Sequence, residues 1–190
     1  GDPKIGRADT VYLTGVDKDR NAVSLIQNIY YSWGSGHVPG ELGFMLQNRG
    51  TLFALDAEHR NCVAPHKRPF HTIIPAMVTK DGRPWLSLGV MGGDMQPQGH
   101  VQVLVNIIDH GMDVQAAGEA ARCQHVGSST PTGSVMKDGG RVQLEPGIPD
   151  AALEELRRKG HNAARGTWGF GGYQAIMIDP DSDLLYGGSD

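Results

Sequence analysis

Near the start of the chain, Thr10 has the most chemistry to offer. It opens the stretch Asp9-Thr10-Val11-Tyr12-Leu13-Thr14-Gly15-Val16-Asp17. Val11, Leu13 and Gly15 alternate there with Tyr12, Thr14 and Val16, the period of a strand. A threonine hydroxyl is a weak nucleophile at neutral pH and needs a base within hydrogen-bond reach. At a free N-terminus it carries one: the α-amine, with a pKa near ~8, is partly neutral at working pH. A cut before Thr10 would create the base and expose the nucleophile in one event. Strand statistics alone read Thr10 as a β-branched residue at the head of a strand. Other constellations are weaker. Trp33-Gly34-Ser35-Gly36 and Pro39-Gly40 form a glycine-rich loop, but no Gly-Lys-Ser/Thr follows to make a phosphate cradle. His66 and His71 fit no helical pair, and no cysteine or acid completes a zinc set. His37, His100, His110, His125 and His161 are scattered and read as structural.

Thr10 through Asp17, Asn21-Ala22-Val23-Ser24, Gly34-Ser35-Gly36, Lys67-Arg68-Pro69, Gly92-Gly93 and Tyr186-Gly187-Gly188-Ser189-Asp190 follow one another in that order. Together they resemble the small subunit of the γ-glutamyltranspeptidase family, over nearly the whole chain. The resemblance implies an N-terminal-nucleophile hydrolase made as one precursor, which cuts itself just before a threonine. That threonine becomes the nucleophile and the first residue of the small subunit. The matching position is Thr10, so the implied cleavage lies between Asp9 and Thr10. Residues 1–9 would then be the tail of the large-subunit region, and 10–190 the small-subunit catalytic region. The implied fold is a four-layer αββα sandwich, where pattern alone supports α+β. The implied partners are a large subunit from the same precursor, as a heterodimer or a dimer of heterodimers, and a small-molecule amide. No cofactor and no metal are implied.

The same resemblance assigns site residues one by one. Asn28 stands where the family has a threonine that hydrogen-bonds the nucleophile; asparagine can donate or accept there. Without the resemblance it is a polar residue on a solvated strand face. Tyr30 falls where transpeptidases carry a substrate-reading asparagine. Arg49 and Leu52 occupy the positions of a glutamine or glutamate and an aspartate that hold the α-amine of the γ-glutamyl group. Leucine cannot pair with an ammonium, and arginine prefers a carboxylate. His71 and Thr72 replace two serines that contact the substrate carboxylate, and only Thr72 keeps the hydroxyl. Gly92 and Gly93 are the implied oxyanion hole. The physics agrees: glycines let backbone N–H groups approach a developing oxyanion ahead of a helix N-terminus. Residues 54–66 lack the longer insert that lids the pocket in many transpeptidases, which leaves the site open to water and larger substrates.

The elements that must position these residues follow from pattern. A hairpin turns at Asp17-Lys18-Asp19-Arg20, and a second joins residues 73–78 to 85–90 through an Asp-Gly turn. Phe44-Met45-Leu46-Gln47-Asn48 reads as a short buried strand. After Gly92-Gly93, Asp94 can cap a helix that tolerates Pro97 in its first turn. Val101, Leu104, Val105 and Ile108 make one face of it and Val103 and Ile107 a second, so deep burial is expected. A second helix covers 113–121. Short strands are expected around 134–136 and 142–144, an amphipathic helix over 149–159, and final strands over 173–178 and 184–186. Trp168-Gly169-Phe170-Gly171-Gly172 either lines the site or packs.

A chain of 190 residues suits one domain with a proper core. A net charge of -4 gives no case for nucleic acid or an anionic membrane. No apolar run is long enough to span a bilayer, and no signal peptide begins at Gly1; a soluble protein of the cytoplasm or periplasm is expected. Cys62 and Cys123 give no disulfide framework: free thiols, or at most one bridge. Three functions remain in play. One is an autoprocessing γ-glutamyltransferase-like amidohydrolase using Thr10. Another is the same fold turned to a different amide, such as oxamate or a cephalosporin side chain. The third is a member that never cleaves and serves as a structural or binding subunit.

Overall fold

The computed structural model describes residues 8–190. Most of the tail expected to precede the cleavage point therefore lies outside the described residues. The chain divides into two compact units. One contains Asn28–Thr72 and Cys123–Trp168 together with the described residues before Thr10, the other Thr10–Gln27, Ile73–Arg122 and Gly169–Asp190, so the ends of the first two strands that lie before Thr10 and after Gln27 belong to the first unit. No helix among the described residues is long and apolar enough to cross a membrane. No disulfide joins Cys62 and Cys123.

The second unit is built on sheets. β1 (Ala8–Val16) and β2 (Ala22–Tyr31) pair as the expected hairpin. Its turn is stabilised by the Asp17 carboxylate, which accepts from the Asp19 and Asn21 N–H groups at 2.9 Å each and from the Asn21 side chain at 2.8 Å. β3 (Ala76–Lys80), β4 (Arg83–Val90), β8 (Tyr173–Ile178) and β9 (Leu185–Ser189) form an antiparallel sheet in the order β3-β4-β8-β9. α1 (Met95–Ile108) and α2 (Val114–Glu119) cover one face of it. Leu86, Leu88 and Val90 on β4 meet Val103 and Ile107 on α1, with Val114, Ala117 and Tyr173 completing the core.

Alternation puts Ser87 and Gly89 on the opposite face of β4, and the hairpin packs there. Glycine at 89 is required by that approach, since a Cβ would lie 2.3 Å from the Tyr12 ring. Tyr12 is 2% exposed; its hydroxyl bonds Ser24 at 2.8 Å, and Thr14 donates to Ser87 at 2.6 Å. This unit therefore stacks helix, sheet and hairpin in that order. β4 is buried on both sides, which explains its continuous run of buried residues.

α1 departs from expectation. Its buried stripe is Gln96, Gly99, His100, Val103 and Ile107, whereas Val101, Val105 and Ile108 are exposed. Asp94 stands at its N-cap without a capping side-chain hydrogen bond. Asp113 does cap α2, accepting from Gln115 and Ala116.

The first unit has less regular structure. β5 (Cys123–Val126), β6 (Arg141–Leu144) and β7 (Ala163–Arg165) form a three-stranded sheet, and β6 and β7 run parallel across α3 (Asp150–Arg158). Leu144, Leu153 and Ala163 make its small core. Residues 134–136 are not a strand; β5 takes that place beside β6. Residues 44–48 are also irregular, and Phe44 and Leu46 are exposed. That stretch lacks a ladder partner. It is fixed instead by single bonds such as Leu46 N–H to His37 O and Ser35 N–H to Leu46 O.

Candidate active site

In the second unit, Thr10 lies half-buried on β1, in step with the inward-facing Tyr12 and Thr14. β1 runs without interruption from Ala8 through the Asp9–Thr10 bond. β4 ends at Val90, and Met91-Gly92-Gly93-Asp94 turns the chain into α1. Gly92 has φ 117° and Gly93 φ 60°, backbone that side chains disfavour. A Cβ at Gly92 would also press on the Gly171 Cα at 3.1 Å, whereas one at Gly93 would meet nothing. The carbonyls of Gly92 and Gly93 accept from the N–H groups of Met95 and Gln96, both at 3.1 Å. The N–H groups of Gly92 and Gly93 themselves donate to nothing among the described residues. Unspent donors at adjacent residues, beside a helix N-terminus, suit an oxyanion.

Two side chains brace this turn. His100 accepts from the Val90 N–H at 2.9 Å through Nε2, and burial lowers its pKa below the ordinary imidazole value. It is therefore neutral, with its proton on Nδ1. Gln96 is fully buried and accepts from the Ile74 N–H at 3.3 Å. Phe170 packs at 5% exposure, Trp168 is exposed, and Gly171 supports Gly92. The aromatic-glycine run thus serves the glycine turn through its backbone.

In the first unit, Asn28, Tyr30, Arg49 and Thr72 converge. Arg49 begins a 3-10 helix, Arg49–Leu52, and is only 1% exposed. Its Nη1 donates to Thr72 Oγ1 at 3.1 Å and its Nη2 to Asn28 Oδ1 at 2.9 Å. The guanidinium lies over the Tyr30 ring, 4.7 Å from its centroid. Desolvation lowers the Arg49 pKa, and Tyr30 opposes that shift. Tyr30 has φ 78°, a left-handed backbone that costs a non-glycine residue roughly 1–3 kcal/mol. His71 is exposed, and its pKa is lowered by partial desolvation and then by the charges of Arg49 and Arg68. Leu52 is half-buried in the same 3-10 helix.

Burial of Arg49 runs against the ordinary placement of an arginine on the surface. Two residues that sequence reasoning passed over hold it in place. Gln47 accepts from the Arg49 N–H through its side-chain oxygen. Asn48 donates to Gly34 O at 2.9 Å and accepts from the Tyr31 N–H at 3.1 Å, tying the end of β2 to the arginine. The available signal was the polar run Gln47-Asn48-Arg49, which a buried strand would not carry.

The solved structure of a cephalosporin acylase from Bacillus halodurans has the same fold. The TM-score is 0.84, at 40% identity over 98% of this chain and 35% of that one. The architecture is the expected α+β fold of the N-terminal-nucleophile hydrolases. The chain belongs to the γ-glutamyltranspeptidase family, whose model, described as Gamma-glutamyltranspeptidase, matches residues 2–190. A glutathione hydrolase-like YwrD proenzyme of Bacillus subtilis is 37% identical over 186 residues, which cover 96% of this chain and 34% of the relative. An oxamate amidohydrolase proenzyme of Klebsiella pneumoniae is 35% identical over 193 residues, 97% of this chain and 34% of the relative. The chain thus spans about a third of the length of these curated relatives.

Proposed function

We propose that the chain is the small-subunit region, residues 10–190, of an autoprocessing γ-glutamyltransferase-like amidohydrolase, with residues 1–9 as the tail of the large-subunit region. Cleavage between Asp9 and Thr10 frees the α-amine of Thr10. That amine takes the hydroxyl proton as Thr10 attacks the amide carbonyl. The N–H groups of Gly92 and Gly93 hold the oxyanion. The C–N bond breaks, the amine leaves with the proton, and an acyl-enzyme ester remains on Thr10. Water or an amine then releases the acyl group. Asn28 is assigned to the nucleophile's side, and Tyr30, His71 and Thr72 to substrate, with Arg49 buried behind that lining. The single observation that carries the reading is the pair of unspent N–H groups at Gly92 and Gly93.

A large subunit from the same precursor is the proposed partner. Val11, Leu13, Val23 and Leu25 share one exposed face of the hairpin, and Val101, Val105 and Ile108 an exposed stripe of α1. Apolar surface of that kind marks an interface.

A second reading, hydrolysis of a non-glutamyl amide, is favoured by one specific observation. The 3-10 helix that should hold an ammonium carries Arg49 and Leu52 instead. A free ammonium there would be desolvated beside a like charge. Amides bearing a carboxylate but no adjacent amine are therefore the expected substrates, with hydrolysis favoured over transfer. The test compares turnover of γ-glutamyl-anilide with that of glutaryl-anilide, which lacks only the amine. Glutaryl-anilide should be preferred; a clear preference for the γ-glutamyl compound would return the enzyme to glutathione-type chemistry. Mass spectrometry of the matured protein separates both from a non-cleaving subunit, which would keep residue 9 joined to Thr10.

A further inference from the structure

We propose that Arg49 is a positioning residue that does not touch substrate but fixes Asn28 and Thr72 as hydrogen-bond donors, and thereby selects acyl groups carrying a carboxylate. The inference rests on the amidohydrolase reading above for the reaction, and on the first unit's geometry for the rest.

A guanidinium can only donate. The atom of Asn28 that faces Nη2 at 2.9 Å must therefore be the amide oxygen, which turns the NH₂ end the other way. At Thr72 the hydroxyl oxygen accepts from Nη1 at 3.1 Å, so its own proton has to be given elsewhere. Thr72 is 7% exposed, and among the described residues no acceptor takes that proton. A buried donor without an acceptor is costly, which points to a ligand oxygen at this position.

Arg49 itself is too enclosed to reach a ligand. Its recorded partners are two neutral oxygens and an aromatic face; no carboxylate pairs with it among the described residues. A buried charge offset only by dipoles leaves a positive potential on the donors it polarises. A carboxylate accepting from the Thr72 hydroxyl meets that potential, and a neutral ester does not. A lysine would keep the charge but not the fork that fixes two acceptors at once.

The experiment uses the matured enzyme from the full-length precursor. Its probes are glutaryl-anilide, the methyl ester of glutaryl-anilide, and free glutarate. Arg49→Gln should raise KM for glutaryl-anilide about tenfold to hundredfold, the range of a charge-assisted hydrogen bond, while KM for the ester moves less than about twofold. Thr72→Val should show the same split, and the double variant should be no worse than either single one. Equal losses on acid and ester, or additive losses in the double variant, overturn the proposal. If Arg49→Gln does not fold, Arg49→Lys decides. It should retain part of the preference for acid over ester, and full retention removes the need for the fork. Calorimetry with glutarate separates the two readings. Glutarate binding that depends on Arg49, in an enzyme that cleaves neither anilide, sinks the amidohydrolase reading and leaves the positioning role. Turnover with KM indifferent to Arg49 does the reverse.

Discussion

The unit built on the four-stranded sheet and the unit that carries Arg49 hold their backbones by different means. In the former, ladders between β3, β4, β8 and β9 satisfy the main chain, and a continuous apolar core presses α1 onto β4. In the latter, much of Asn28–Thr72 has no ladder partner, and single polar side chains bind the loop: Asn48 to Gly34 and Tyr31, Arg49 to Asn28 and Thr72. The first arrangement spreads its energy over many small contacts. The second concentrates it in a few bonds. The region expected to stabilise charge in the reaction is thus set on the cooperative scaffold, and the region expected to choose the substrate on the scaffold that a few substitutions can remake.

The largest expected effect is at Thr10. Thr10→Ala in the full-length precursor should abolish both self-cleavage and turnover, because no neighbouring hydroxyl can replace it; Thr14 is roughly 13 Å further along the strand. Intact mass and anilide turnover check this, and retained activity would sink the assignment. Next comes Gly93→Val. The Cβ has room, so the cost falls on the backbone at φ 60° and on the aim of the N–H. Turnover should fall roughly a hundredfold to a thousandfold, as for loss of one oxyanion donor; a folded variant with wild-type turnover would remove the glycines from the mechanism.

The contrast between the units is tested by a pair of truncations. Leu88→Ala empties a fully buried position in the main core and should cost about 2–5 kcal/mol of global stability in denaturant melts. Asn48→Ala should cost roughly 1–3 kcal/mol, seen mainly as faster hydrogen exchange at residues 31–35. If both act globally, the units are not separately held. The smallest effect is expected from pH. His100 titrates below its ordinary 6.5 in the folded chain because it is buried. As pH falls below 6.5 the unfolded chain takes up a proton that the folded one refuses, so this contribution, full above 6.5, is lost. Asp17 and Asp179 lose theirs only in a lower window, because hydrogen bonds hold them below the ordinary 3.8. Urea midpoints at pH 7 and 5 should differ less in His100→Gln than in the wild type.

Sequence periodicity found what ladders and cores hold. The hairpin at residues 17–20, the β3–β4 pair, α3 and β8 all lie where alternation or amphipathicity put them, because burial of one face is the cause of both pattern and element. α1 was misread, since apolar residues on two faces do not say which is covered; Val101 and Ile108 are exposed while His100 is buried. β5 and β7 escaped notice because each is four residues or fewer with mixed polarity. In the candidate site, the tight turn into α1 was legible from the Gly92-Gly93 pair, and the lack of an acid at position 52 from Leu52 itself. The burial of Arg49 was not legible, because nothing local distinguishes a buried arginine from a surface one when its partners lie at 28 and 72.

One contact has a mechanical consequence. Arg20, at the hairpin tip, grips the tip between β8 and β9: its Nε bonds an Asp183 carboxylate oxygen at 3.0 Å, and its Nη2 meets the other at 2.9 Å. Both residues stand in left-handed backbone, φ 64° and φ 59°, so the clamp joins two rigid turns rather than two loose loops. β1 is thus anchored beyond Val16 and again through Tyr12 and Thr14, and carries Thr10 toward its other end. Severing the chain before Thr10 would release that end alone and leave these anchors untouched. The new terminus would gain freedom to adjust, while the hairpin as a whole would stay in register.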